Sequence, residues 1–165
     1  MNPTDFKNLQ PQTADDSAVR PTDPQPEPND ERLDLIAKVH TAVLDTISGF
    51  DKMVEKAEPS FKPAAQDFLT MHSRHEGVLS AYLAQAGRVP DDDGSFFGTI
   101  NRAVIEARSW FTDVDRDAMD RVAEGEESVL DTYAEARDAG QTIEANAMLT
   151  DQMAEISELL RKHRP

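Results

Sequence analysis

At 165 residues, with 38% hydrophobic residues, 30% charged residues and a mean hydropathy of -0.60, the chain has the composition of one soluble domain with a hydrophobic core. A net charge of -15 without a basic patch opposes binding to a nucleic-acid backbone, and the absence of cysteine excludes disulfides, zinc ribbons and thiol catalysis. No window approaches the roughly 18 consecutive apolar residues of a membrane span, and no apolar segment follows Met1, so no membrane contact or signal peptide is expected and the default location is cytoplasmic.

Residues 1–29 carry Pro3, Pro11, Pro21, Pro24, Pro26 and Pro28 among acidic and amide side chains. Such a segment buries too little apolar surface to offset the entropy of ordering it, which predicts a disordered tail. Pro24-Gln25-Pro26-Glu27-Pro28 would suit a polyproline-binding partner; a plain solvated arm is the other reading.

From Asn29 or Asp30, either of which suits a helix cap, apolar residues recur at three- and four-residue steps: Leu33, Ile36, Val43, Ile47, Phe50, Val54 and Ala57. Pro59 ends this helix, and Pro63 suits the first turn of the next. The second helix continues through Phe61, Ala65, Phe68, Leu79, Tyr82 and Ala86 to a stop at Gly87. Residues 88–94 read as a loop, and Ser95 caps a shorter segment, 96–111, rich in Phe, Ile, Val and Trp. A third long helix starts at Thr112 or Asp113, runs through Met119, Val122, Val129, Leu130, Tyr133 and Ala136, and breaks at Gly140. A fourth spans about 142 to 162 with Leu149, Met153, Ile156 and Leu160 on its stripe. No alternating β-branched run occurs. The pattern predicts an all-α four-helix bundle over residues 30–165, with one long crossover holding a short helix and with the second and third long helices parallel.

Polar residues interrupt the apolar stripes. At about 100° per residue, His72 and His75 fall mid-face on the second helix, Glu126 mid-face on the third, His40 on the first and Gln152 on the fourth. Glu76, Glu127 and Glu155 fall on flanks. His72, His75 and Glu126 sit near the midpoints of their helices, so two imidazoles and a carboxylate are expected to converge from two neighbouring helices, with His40 about one turn, ~5 Å, away. A buried unpaired carboxylate costs several kcal/mol, so Glu126 must be protonated, paired with a histidine or bound to a metal. Two readings stay open: a structural hydrogen-bond network, or a site for one Fe, Mn or Zn ion. His72, His75 and Glu126 would be its first candidates; His40, Glu76, Glu127, Gln152 and Glu155 are weaker ones.

The remaining features read as structural. Asp45 and Gly49 face away from the bundle axis, where the crossover segment would pack and Arg102 would meet Asp45. Asp91-Asp92-Asp93-Gly94 lacks the ligand spacing of a calcium loop. Met71, Met119, Met148 and Met153 lie near the stripes as core filler. Arg161-Lys162-His163-Arg164 offsets the dipole at the end of the fourth helix.

Asp45, Gly49-Phe50, Ala57, Arg74, Gly94-Ser95, Arg102, Gly125-Glu126 and Tyr133 together resemble an uncharacterised ferritin-like family of proteobacteria; Gly-Ser…Arg and Gly-Glu…Tyr are the more specific elements. The resemblance covers Leu33 to about Leu160. It implies a ferritin-like bundle and, by analogy, a homodimer. The first expectation for function is a non-enzymatic, stress-related protein whose His72–His75–Glu126 set is a structural or metal-binding network; the alternative is a metal-dependent oxidoreductase or iron-handling protein. Ferritin-like di-iron proteins use a Glu from each of two helices and Glu-x-x-His from each of the other two. His72-Ser73-Arg74-His75, His40 and Gln152 depart from that plan, which puts a di-iron oxidase in doubt.

Overall fold

Four helices and no strand are present among the described residues of the computed structural model, which are 30–88 and 118–164. They are α1 (Asp30–Lys56), α2 (Lys62–Gln85), α3 (Ala118–Asp138) and α4 (Ile143–His163). The N-terminal tail, the 88–94 loop beyond Arg88, the 96–111 segment with Arg102, and the expected start of the third helix at Thr112 or Asp113 lie outside the described residues. No described helix is long and apolar enough to cross a membrane.

The breaks between helices follow from backbone chemistry. After α1, the Glu58 carbonyl accepts from the amides of Phe61 and Lys62, both at 3.0 Å. Pro63 stands in the first turn of α2, where its missing N–H costs nothing. At the other end of α2, Gly87 adopts a positive φ of 76°. Arg88 N–H then reaches the Leu83 carbonyl at 2.8 Å, and Gly87 N–H reaches that of Ala84 at 3.0 Å, the paired bonds of a Schellman stop. Gly140, with φ 72°, turns the chain between α3 and α4. Thr142 caps α4 by accepting from Ala145 N–H at 3.2 Å.

Contacts between side chains give the arrangement. Along α2 and α4, Asp67 meets Lys162, His75 meets Glu155 and Tyr82 meets Thr142, so one number rises as the other falls and the helices are antiparallel. Lys38 with Glu135, and Gln141 with the Arg32 carbonyl, show the same for α1 and α3. With the short α1–α2 and α3–α4 connections, α2 and α3 therefore run parallel, as the spacing predicts. They are diagonal rather than adjacent: α1 and α4 each pack on both α2 and α3, while the α2 and α3 backbones do not touch.

One apolar core fills the centre, with Ile36, Val39, Val43, Leu79, Leu149 and Ile156 fully enclosed. At about 25 cal/mol per Å² of buried apolar surface, such residues supply the main drive for association. Phe50 and Phe68 stack at 5.1 Å near one end. Met71 is buried, while Met119, Met148 and Met153 pack partly buried against the core.

Gly77 is exposed in the interior of α2, and a Cβ there would meet nothing within 4 Å. Gly77→Ala is expected to raise stability by about 0.5–1 kcal/mol. Gly140→Ala, forced into a positive φ, is expected to lower it by roughly 1–2 kcal/mol. Urea midpoints that move in the same direction for both variants would contradict this account.

Candidate functional site

The sequence contains four histidines, and each meets a carboxylate on another helix through Nε2. His40 of α1 pairs with Glu76 of α2 at 3.1 Å, and His72 of α2 with Glu126 of α3 at 2.9 Å. His75 of α2 pairs with Glu155 of α4 at 2.9 Å, and His163 of α4 with Asp67 of α2 at 3.0 Å. Every pair has one member on α2. Helical geometry explains why: at about 100° per residue, His75 lies ~60° to one side of His72 and Glu76 ~40° to the other. The middle residue therefore looks across the diagonal, while its flanking neighbours reach α4 and α1.

The expected convergence of His72, His75 and Glu126 is thus only partly realised. The two rings lie edge to face with centroids 5.9 Å apart. Glu126 takes His72 alone, however, because it arrives from the diagonal helix rather than from a neighbour, and His75 turns to Glu155. Glu76 and Glu155 come in from their flanks as partners of His40 and His75. Glu127, one residue beyond Glu126, faces outward and is exposed. Gln152 is buried; its Oε1 accepts from Tyr133 Oη at 2.7 Å, and its Nε2 reaches the His75 carbonyl at 3.4 Å. Among the described residues, no group of three or more His, Asp or Glu side chains is arranged to hold a metal ion.

The pairs differ in their access to water. His72 and Glu126 are 0% and 2% exposed, whereas Glu155 is 43% exposed. Glu155 also receives Arg74 and stands on the wall of a groove of about 510 Å³ between α2 and α4, with Met71 and Leu159 as its apolar lining. The centre is incompletely satisfied: Nδ1 of His72, Nδ1 of His75 and Oε2 of Glu126 are buried without a hydrogen-bond partner. Burial is the first cause that raises the proton affinity of the Tyr133 hydroxyl, followed by the charges of Glu126 and Glu155. Tyr133 therefore stays a neutral donor to Gln152.

Several contacts have no counterpart in the sequence patterns. Asp67 accepts from both Lys162, at 2.7 Å, and His163, so the basic end of α4 is held by α2 as well as by its own helix dipole. Gln141 is buried, and its Nε2 donates to the carbonyls of Ala136 and Arg32, each at 3.1 Å, closing the end of α3 against α1. A polar residue after a helix-breaking glycine carries no periodic signal, so only the fold shows this role.

The model of a domain of unknown function, DUF2383, matches residues 31–139. The chain belongs to this family. The matched stretch holds His40, His72, His75, Glu76 and Glu126, and ends before α4 with Gln152 and Glu155. No curated protein and no solved structure matches the chain.

Part of the pH response of this DUF2383 protein follows from the buried His75 imidazole. Burial is the largest cause and lowers the His75 pKa, the Glu155 bond opposes it, and nearby His72 lowers it further. With the folded pKa below the unfolded value of about 6.5, the unfolded chain takes up more protons as pH falls. This part of the stability is present above about pH 6.5 and is lost below it. The Asp67 carboxyl, held low first by Lys162 and then by His163, keeps its contribution until the pH drops through the carboxylate range. His75→Gln is expected to flatten the fall in stability between pH 7 and 5 by up to about 1.4 kcal/mol per pH unit. Urea denaturation at several pH values measures it, and an unaltered slope would remove His75 from the acid response.

Proposed function

We propose that this chain is a ferritin-like bundle of a proteobacterial family, and that its central histidines and carboxylates form a structural network in a non-enzymatic protein. One observation carries the reading: each of the central imidazoles, at positions 40, 72 and 75, has a carboxylate of its own from a different helix. Groups paired one to one hold helices together and do not converge on a common point. The antiparallel neighbours and the parallel α2 and α3 support the ferritin-like topology.

The residues do not fit a ferritin-like di-iron centre. Such a centre draws a Glu from each of two helices and Glu-x-x-His from the other two. Around the level of His72, α1 brings the apolar Val43 and Ile47, α2 lacks the glutamate, and α4 offers Gln152 three residues before Glu155. A second reading, a metal-dependent oxidoreductase or iron-handling protein with one Fe, Mn or Zn ion, is favoured by the unpartnered Nδ1 atoms of His72 and His75 and the free Oε2 of Glu126.

Two measurements separate them. Elemental analysis of the purified chain is expected to find no stoichiometric iron, manganese or zinc. His72→Leu alone, which strands the Glu126 carboxylate, is expected to cost about 3–5 kcal/mol, while His72→Leu with Glu126→Leu recovers most of that loss. One equivalent of metal, lost in His75→Ala, would establish the second reading instead.

A further inference from the structure

Helices α2 and α4 carry the same side-chain pattern at the same spacing. Asp67, Met71, Arg74 and His75 on α2 match Glu155, Leu159, Lys162 and His163 on α4. Each set is an acid, an apolar residue about one turn on, then a base and a histidine about two turns on. Because the helices are antiparallel, each acid meets the base and the histidine of the other helix. Glu155 Oε2 accepts from Arg74 and meets His75 Nε2 at 2.9 Å. Asp67 Oδ2 accepts from Lys162 at 2.7 Å and meets His163 Nε2 at 3.0 Å. The two clasps are related by a local twofold axis, and the groove of about 510 Å³ lies between them over Met71 and Leu159. That size suits a small molecule.

The charge of the groove is unbalanced where the twofold match fails. Three residues after the acid stands Thr70 on α2 but Glu158 on α4, and both line the groove. Glu158 is exposed, and no described residue pairs with it. Three carboxylates therefore face two cations, Arg74 and Lys162. The clasps engage only Oε2 of Glu155 and Oδ2 of Asp67, so each carboxylate keeps an open oxygen. Thr70 Oγ1 donates to the Gln66 carbonyl at 2.8 Å and retains lone pairs for a donor in the groove. By the register of the clasps, Asp67 and Glu155 stand ~12 Å apart along the groove. Glu158 comes between them, ~4.5 Å from the level of Glu155 and ~7.5 Å from that of Asp67.

We propose that the α2–α4 groove binds a linear polyamine, a triamine with its ammonium groups at Asp67, Glu158 and Glu155 and its methylene spacers over Met71 and Leu159. Ammonium groups donate to the open carboxylate oxygens through charge-assisted bonds, stronger than neutral ones. The methylenes cover apolar surface that otherwise meets water. A dianion has no equal fit: Arg74 and Lys162 each already meet a carboxylate, and Glu158 stands between them.

A net charge of -15 attracts any cation, so the test separates the groove from the general field. Titration calorimetry of the full-length chain with spermidine is expected to show one bound equivalent. Glu158→Gln is expected to weaken binding by at least about tenfold, because it removes the central charge-assisted bond. Glu127→Gln, which removes an exposed carboxylate of α3 outside the groove, is expected to leave it unchanged. Putrescine, too short to span both clasps, is expected to bind more weakly than spermidine. No saturable binding overturns the proposal, as do equal losses in the two variants or displacement of spermidine by magnesium at matched ionic strength. Tighter binding of suberate, a dicarboxylate of similar length, assigns the groove to anions through Arg74 and Lys162 and overturns it too.

Discussion

A hydrogen bond between His72 and Glu126 crosses the middle of a bundle at the one diagonal where α2 and α3 could otherwise ignore each other. Both side chains are removed from water, so neither has an alternative partner to fall back on. Inside a low-dielectric core such a bond is strong when made and costly when broken. Because it links diagonal helices, it also holds the other two at a spacing that lets both reach α2. His40 of α1 then meets Glu76, and Glu155 of α4 meets His75, each near the angle that one turn of α2 offers.

The position of the pairs along the radius of the bundle sorts their work. His72 and Glu126 are enclosed, Glu76 is half-buried beside the buried His40, and Glu155 stands in the groove between α2 and α4. The network therefore meets water mainly on the α2–α4 side, at the Glu155 carboxylate that pairs with the buried His75. At the far end of the bundle, Gln141 and Thr142 do for the α3–α4 turn what the histidines do for the centre. They supply polar partners where backbone groups would be left without any.

Much of this was legible from the sequence because apolar spacing and helix breakers act locally. Leu33, Ile36, Val43 and Phe50 mark the inner face of α1, and Gly87 and Gly140 stop helices for a reason contained in one residue's φ. His72, His75 and Glu126 stood out as polar groups on apolar faces, and all three are buried. Their partners were not legible. A helical wheel gives the direction of a side chain but not which helix stands there, so the assignment of Glu155 to His75 waited for the α2–α4 packing. The Asp67–His163 pair was not legible for the same reason: Asp67 looks like an ordinary surface charge, and His163 like part of the basic end of the last helix, until the antiparallel register brings them within 3.0 Å.

The same register argument explains why a bundle would keep imidazoles and carboxylates where leucine packs as well. Apolar side chains tolerate a slide of one helix along another, since one methyl group replaces the next at little cost. Directional pairs do not. A shift of α2 by one turn, about 5.4 Å, would break its bonds to α1, α3 and α4 together and leave several buried polar atoms unmatched. Buried polar groups of this kind contribute little net stability but separate one packing from its near alternatives. α2, which carries a member of every histidine pair, is the reference against which the other three helices are aligned.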